Sequence, residues 1–425
     1  SVASGGLGDV YKRQVLWFEI STPSRYLNTG HVTAGWQDAL ENIVATSNDI
    51  ELYIAFESHV PADVKIVEGV TYIPMITQYS FWEQKVGQHT WTINERKVIE
   101  QGRKVIEQYK PDVIQVFGNE WPFGLLAQYT DIPLVVHIQG SIIPYDNALY
   151  PPKYNGYTMV KAAGLNLRKD WHRFTGFNRE KSRLDMEKRI WKIVHHFMGR
   201  TCWDKALVNM LTKNATYHHV EEALRPDFLH SQKLWKIPPA NAKLRLLTTG
   251  CSSFWKGVDV MLKTAHVLKE AGVDFEWHVA GSLGEELMQV VESKEKLKFV
   301  ENNIQFLGFC TPERLIDEMC QSTMYVHTAY IENSPNSICE AQMIGMPIVS
   351  TMVGGIATLV RNGVEGDLLP ANDPWQIANA IVELATNNDR MKSYSEHSRQ
   401  HALERHNPEH ILQQLLKCYK ELIRK

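Results

Sequence analysis

Twice along the chain, short β-branched or aromatic runs alternate with helical stretches, and a proline-bearing linker separates the two series. Such alternation is the pattern of strands lying parallel in one sheet, because a parallel partner is reached only through a crossover of a dozen residues or more, usually a helix. In the first series, strands are expected at 15–20, 50–56, 112–117 and 134–138, with helices at about 36–45, 95–109 and 123–128. The linker runs from about 234 to 243 and contains Pro238-Pro239. The second series places strands at 244–248, 275–280, 304–306, 324–328 and 347–350 around a helix at 257–270 and another that starts near Ser334. At 425 residues the chain exceeds what one core usually supports. An α/β protein of two Rossmann-like domains is therefore expected, the first over 15–233 and the second over 244–405, with a last amphipathic helix inside 406–425.

Residues 1–14 lack an initiating Met and any periodicity joining them to the first expected strand, so they are expected to be a non-native remnant of cloning or read assembly. Hydrophobic content of 44%, 22% charged residues and a net charge of −3 are those of an ordinary globular protein and argue against nucleic acid as a partner. Six cysteines stand without C-x-x-C or metal-ligand spacing and read as reduced thiols. No apolar run approaches the roughly 20 residues that span a bilayer, and a cytoplasmic location is expected.

The richest stretch, 330–347, reads Y-I-E-N-S-P-N-S-I-C-E-A-Q-M-I-G-M-P. Ser334 is placed to cap a helix, Pro335 suits its first position, and Gly345 with Pro347 marks its end. The first amides of a helix lack partners within it and, with the helix dipole, form an anion site. Glu332 lies just before this start and Glu340 in the second turn. Carboxylates accept hydrogen bonds from adjacent hydroxyls, so acid, helix N-terminus, acid suits a ligand with sugars on both sides of a diphosphate: a nucleotide sugar. Lys256-Gly257 opens the first helix of the same domain, where a lysine can reach that diphosphate. Gly354-Gly355, Gly363 and Gly366 supply tight turns on the same sheet edge. In the first domain Asn119 and Glu120 follow one strand, and His137, Gln139 and Ser141 follow the next. His218 and His219 are adjacent and point to different faces, which suits packing or substrate contact better than a metal.

Two such domains, with E-N-S-P-N-S-I-C-E-A-Q-M-I-G-M-P-I-V in the second, resemble the retaining glycosyltransferases of family 4, which have the GT-B fold: two Rossmann-like domains whose parallel sheets face a central cleft. Phe306-Leu307-Gly308, Gly199-Arg200-Thr201-x-Trp203-Asp204 and Gly363-x-x-Gly366 stand in the family's order, and the resemblance runs from about Val15 to the carboxyl end. It implies that Glu340 holds the donor ribose and that Glu332 contacts the donor sugar. Lys256 and Gly257, with the amides of Ser334, Asn336 and Ser337, would hold the diphosphate. It implies an acceptor in the amino-terminal domain, a last helix crossing back to that domain, retention of anomeric configuration, and a leaving diphosphate that takes the acceptor's proton. No cofactor and no metal are then expected beyond a UDP- or GDP-linked donor, and the acceptor would be a glycan or lipid-linked glycan of surface polysaccharide synthesis.

The chain departs from the family pattern at three places. The glycine-rich loop before the first helix is reduced to Thr33-Ala34-Gly35, leaving Gly35 for the acceptor or phosphate side; Gly250, Cys251 and Ser252 occupy the region where relatives carry a basic residue before Lys256; and Gln139-Gly140 replaces His-Gly, making Gln139 a candidate catalytic and acceptor-site residue. A nucleotide-sugar 2-epimerase of the same fold, or an inactive nucleotide- or glycan-binding homologue, are the alternatives. Residues 161–192 carry many Lys and Arg among aromatics such as Trp171, Phe174 and Trp191, a composition suited either to peripheral contact with an anionic membrane or to a solvated helix face over core aromatics.

Overall fold

The computed structural model describes residues 12–28, 35–162, 167–239 and 241–424, with the backbone alone for 162 and 167–178. Eight strands form the first sheet: β1 Arg13–Glu19, β2 Ile50–Ser58, β3 Lys65–Val67, β4 Val70–Ile76, β5 Val113–Phe117, β6 Leu134–His137, β7 His196–Gly199 and β8 Thr216–His219. Their order is β3-β4-β2-β1-β5-β6-β7-β8, parallel throughout except for the β3–β4 pair. Six more strands form a second, wholly parallel sheet: β9 Leu244–Thr249, β10 Phe275–Ala280, β11 Ile304–Gly308, β12 Met324–His327, β13 Ile348–Thr351 and β14 Gly366–Leu369, in the order β11-β10-β9-β12-β13-β14.

A parallel sheet is covered on both faces, which explains its continuous apolar strands. In β1, Val15 and Trp17 enter the core on one face while Leu16 and Phe18 enter the core on the other. The strand starts at Arg13, two residues before the expected point. Arg13 N–H donates to the Asp49 carbonyl (2.9 Å) and Gln14 N–H to Asp112 Oδ2 (2.8 Å), so residues 13 and 14 are part of the sheet. The β3–β4 hairpin was not legible either. Its outer strand is three largely exposed residues, and its turn is set by Glu68 and Gly69 at φ 49° and 82°. Helices Glu285–Glu295 and Pro312–Gln321 likewise add crossovers to the second domain that were not anticipated.

The helix Pro408–Ile423 returns to the first sheet, where Ile411, Leu415, Cys418, Tyr419 and Leu422 join its core. A buried polar chain fixes it there: Trp17 Nε1 donates to the Tyr419 hydroxyl (2.9 Å), which donates to Gln115 Oε1 (2.6 Å). The linker is tied to the second domain, because Trp235 donates from its backbone to the Ile344 carbonyl and from its indole to the Ser322 carbonyl, both at 2.9 Å. The two crossings are tied to each other. Arg405 Nε meets Glu221 Oε2 at 2.6 Å, and His406 Nδ1 meets the Glu222 carbonyl at 2.7 Å. Across the cleft, Asn333 Nδ2 donates to the Gln139 carbonyl and Thr201 Oγ1 bonds Asn333 Oδ1, each at 3.0 Å.

Candidate active site

The helix after β12 spans Asn336–Ile344 and is buried from Ile338 to Ile344. Its C-terminus is as expected, with Gly345 left-handed at φ 80°. Its start differs. Pro335, extended at φ −70° and ψ 115°, takes the cap position, and no side chain caps the helix. The Ser334 hydroxyl instead donates to Glu222 Oε2 at 2.5 Å, a charge-assisted bond to a buried carboxylate. The amides at Asn336 and Ser337 therefore begin the helix without intrahelical partners.

Glu332 and Glu340 are 5% and 3% exposed, and each faces a cation on a different element. Lys256 Nζ pairs with Glu332 Oε1, and His327 Nε2 stands 3.7 Å from the same oxygen. Burial holds that imidazole neutral, pushed down to about 3. Glu340 Oε1 receives both Nε and Nη2 of Arg225 at 2.7 Å. Burial pushes the Glu340 carboxyl up to about 7 against the opposing pull of Arg225.

Glycines set this geometry. Lys256 ends a short turn, Phe254–Lys256, and Gly257 follows at φ 70°. A Cβ on Gly257 would lie 1.8 Å from the Thr328 carbonyl oxygen, so only glycine lets the lysine turn approach the loop that carries Glu332. Tyr330 N–H donates to the Trp255 carbonyl (2.7 Å) and completes that joint. Gly354 and Gly355, expected simply as turns, pack on the backbone of Glu332. A Cβ on Gly354 would fall 1.8 Å from the Glu332 carbonyl, and Gly355 N–H donates to the same oxygen at 2.9 Å.

From the first domain, Gly35 opens the helix Trp36–Ala45 at φ 58°, and its Cβ position lies 3.6 Å from Asn336 Nδ2. The N-termini of the two helices thus face each other across the cleft. Thr33 and Ala34 lie outside the described residues. Gln139 and Gly140 follow β6 at the same level, and the Gln139 carbonyl holds Asn333, the neighbour of Glu332.

Several site residues carried no sequence signal for their roles. Arg225 sits on a short connecting segment with no motif, and Glu222 is one of many helix-compatible acids. Arg200 and Thr201 stood only in a string of matches; Arg200 Nε meets Glu222 Oε2 (3.1 Å) and its guanidinium lies 4.5 Å over the Trp36 ring. Trp36, Arg200, Glu222 and Ser334 therefore form one buried line from the first domain to the start of the helix Asn336–Ile344. His137 is core, stacked on Phe117 and edge-on to Trp36, and His218 and His219 pair with Glu421 and Glu221. In the described part of the basic helix Leu167–Ile193, Arg179 and Arg183 lie over Trp91, Arg183 also over Trp121, and Arg189 grips Glu95 (2.9 and 2.5 Å). These arginines pack the helix onto its own domain.

Two Rossmann-like domains with parallel sheets facing a cleft define the GT-B architecture, and the acid pair around a helix N-terminus lies in the second. Residues 232–401 match the family model described as Glycosyl transferases group 1. An uncharacterized glycosyltransferase of Methanocaldococcus jannaschii is 28% identical over 191 residues, 43% of this chain and 46% of that one. The chain spans less than half the length of the first curated relatives it matches. Among solved structures, sucrose-phosphate synthase from Thermosynechococcus elongatus is similar over 97% of this chain and 99% of its own, with TM-score 0.70 and 15% identity. Anabaena HepE in complex with UDP-glucose is similar over 96% and 100%, with TM-score 0.63 and 15% identity. Among the described residues no helix is long and apolar enough to cross a membrane.

Proposed function

We propose that the protein is a retaining glycosyltransferase of family 4 type that moves a hexose from a UDP- or GDP-sugar to a glycan or lipid-linked acceptor. One observation carries this reading: two buried carboxylates, Glu332 and Glu340, flank one helix N-terminus, and each is matched to a cation on another element. Glu340 accepts the ribose hydroxyls and Glu332 the hydroxyls of the donor sugar. Lys256, Gly257 and the amides from Ser334 to Ser337 hold the diphosphate, and Gln139, Gly140 and Gly35 border the acceptor.

The acceptor oxygen bonds to the anomeric carbon as the bond from that carbon to the diphosphate breaks, and the departing diphosphate takes the acceptor's proton. Lys256 and the helix amides stabilise the charge that develops on the diphosphate, the electrostatic contribution that dominates many enzymes. No metal is needed for this step. The similar HepE structure holds UDP-glucose, which supports a uridine donor. Surface polysaccharide synthesis as the setting rests on the family resemblance. The exposed Lys181, Lys188 and Lys192 on the long helix offer contact with an anionic membrane from the cytoplasmic side; equal partition onto neutral and anionic liposomes would contradict that contact.

The test is incubation with UDP-glucose and GDP-mannose, with and without EDTA, followed by proton NMR. Release of nucleoside diphosphate insensitive to EDTA, with a product of unchanged anomeric configuration, is expected. A sugar inverted at C2 would instead make the protein an epimerase, and binding without consumption would make it an inactive homologue.

A further inference from the structure

On the first-domain side of the cleft, one carboxylate takes no part in the donor site. Glu120 lies in the loop after β5; among the described residues its Oε2 is buried and has no hydrogen-bond partner. Two glycines make room for it. A Cβ on Gly140 would stand 2.8 Å from Glu120 Oε1, and one on Gly118 would stand 2.6 Å from Oε2. Burial pushes this carboxyl up, with its own backbone N–H and then Arg183 and Arg200 pulling it back. A buried carboxyl oxygen with no partner costs free energy that a ligand hydroxyl recovers.

Beside it, three partly buried rings converge from both domains. Tyr145 follows the Gln139-Gly140 loop, Trp203 starts the helix Cys202–Leu211, and Trp255 precedes Lys256. Tyr145 lies 6.3 Å from Trp203 and 5.8 Å from Trp255 between ring centroids, both edge-on. Its ring edge comes within 3.8 Å of the Gly140 Cβ position, and Glu332 is the carboxylate acting most strongly on its hydroxyl. The rings therefore span the gap between the unpartnered carboxyl and the donor-side acid.

Sugar sites combine apolar or aromatic walls with a few placed polar groups. We infer that Glu120, Tyr145, Trp203 and Trp255 form the subsite for the acceptor sugar, Glu120 accepting a hydrogen bond from one of its hydroxyls while the rings receive its apolar face. The subsite belongs to the acceptor of the transfer proposed above and rests on that reading. A polar, hydroxyl-rich ring fits it; a purely apolar lipid chain does not, because the Glu120 oxygen would stay unpaired.

The experiment is saturation-transfer NMR on the full chain with UDP present, using the methyl α- and β-glycosides of glucose, galactose and mannose as probes. Saturation is expected to reach at least one glycoside in the wild type, to fall at least fivefold in Glu120→Ala and Trp203→Ala, and to persist in Tyr145→Phe. The rise in melting temperature with UDP, measured on the same samples, shows that the variants are folded and is expected to be unchanged. No transfer to any glycoside, or undiminished transfer in both alanine variants, would overturn the subsite. A parallel shift with GDP tests the donor site separately: absence of a shift with both UDP and GDP in the wild type strikes the transferase reading, while the glycoside arm, run with whichever nucleotide binds, still decides the subsite.

Discussion

Arg225 places both Nε and Nη2 on one oxygen of Glu340, each at 2.7 Å, across 115 positions of sequence. The pair joins the segment that leaves the first domain to the helix Asn336–Ile344 of the second. Truncating Arg225 to alanine leaves a buried carboxylate without its cation. Breaking a buried pair from one side is costly, so a loss of about 3 kcal/mol in unfolding free energy is expected from denaturant titration. A loss below about 0.5 kcal/mol would mean that the pair is not formed in solution.

Glu332→Ala separates donor-sugar contact from nucleotide binding. Turnover is expected to fall roughly 10- to 100-fold, the range of one lost charge-assisted hydrogen bond, while the Kd for the free nucleoside diphosphate changes much less. Equal losses in turnover and in diphosphate affinity would show that Glu332 acts on the nucleotide.

Gly257→Ala forces a left-handed backbone on a residue with a Cβ and drives that atom into the Thr328 carbonyl. The left-handed conformation alone costs about 1–2 kcal/mol, and the clash adds to it. Lower thermal stability together with reduced turnover is expected, because Lys256 moves with its turn. A variant with wild-type stability would show that the turn and the Glu332 loop are not packed this closely.

Glu187 offers a test by pH. It is fully buried on the long helix, where Ser141 Oγ (2.6 Å), Trp191 Nε1 (3.2 Å) and the Ile143 amide (3.0 Å) donate to it and Asn119 Nδ2 contacts it. Burial pushes its carboxyl up to about 7. Its folded value lies above its unfolded value near 4.5, so the native state holds a proton that the unfolded chain has lost. The stability contributed by this group is therefore present at low pH and lost as pH rises from about 4.5 to about 7. Relative to Glu187→Gln, the wild type should lose on the order of 2–3 kcal/mol between pH 5 and pH 7.5. A flat difference across that window would place the carboxyl in contact with water.

The second domain was largely legible from its residues. Glu332, Glu340, Lys256 and Gly345 lie where a helix-terminus reading puts them, because helix ends and glycine turns are local properties. What was not legible depends on distant partners. Ser334 looks like a helix cap until Glu222, 112 positions away, takes its hydroxyl. Arg225 has no local pattern, and Glu120 was legible only as a residue at the carboxyl end of a strand; the partners of both come from distant parts of the chain. The β3–β4 hairpin escaped because its edge strand is exposed and too short to alternate.

The most direct measurement is a calorimetric titration of the wild type and Glu340→Ala with UDP and GDP. One of the two nucleotides should bind the wild type, and the variant should bind it about 1–3 kcal/mol more weakly, roughly 5- to 150-fold in Kd. A folded Glu340→Ala protein that binds with unchanged affinity would contradict the donor site described above.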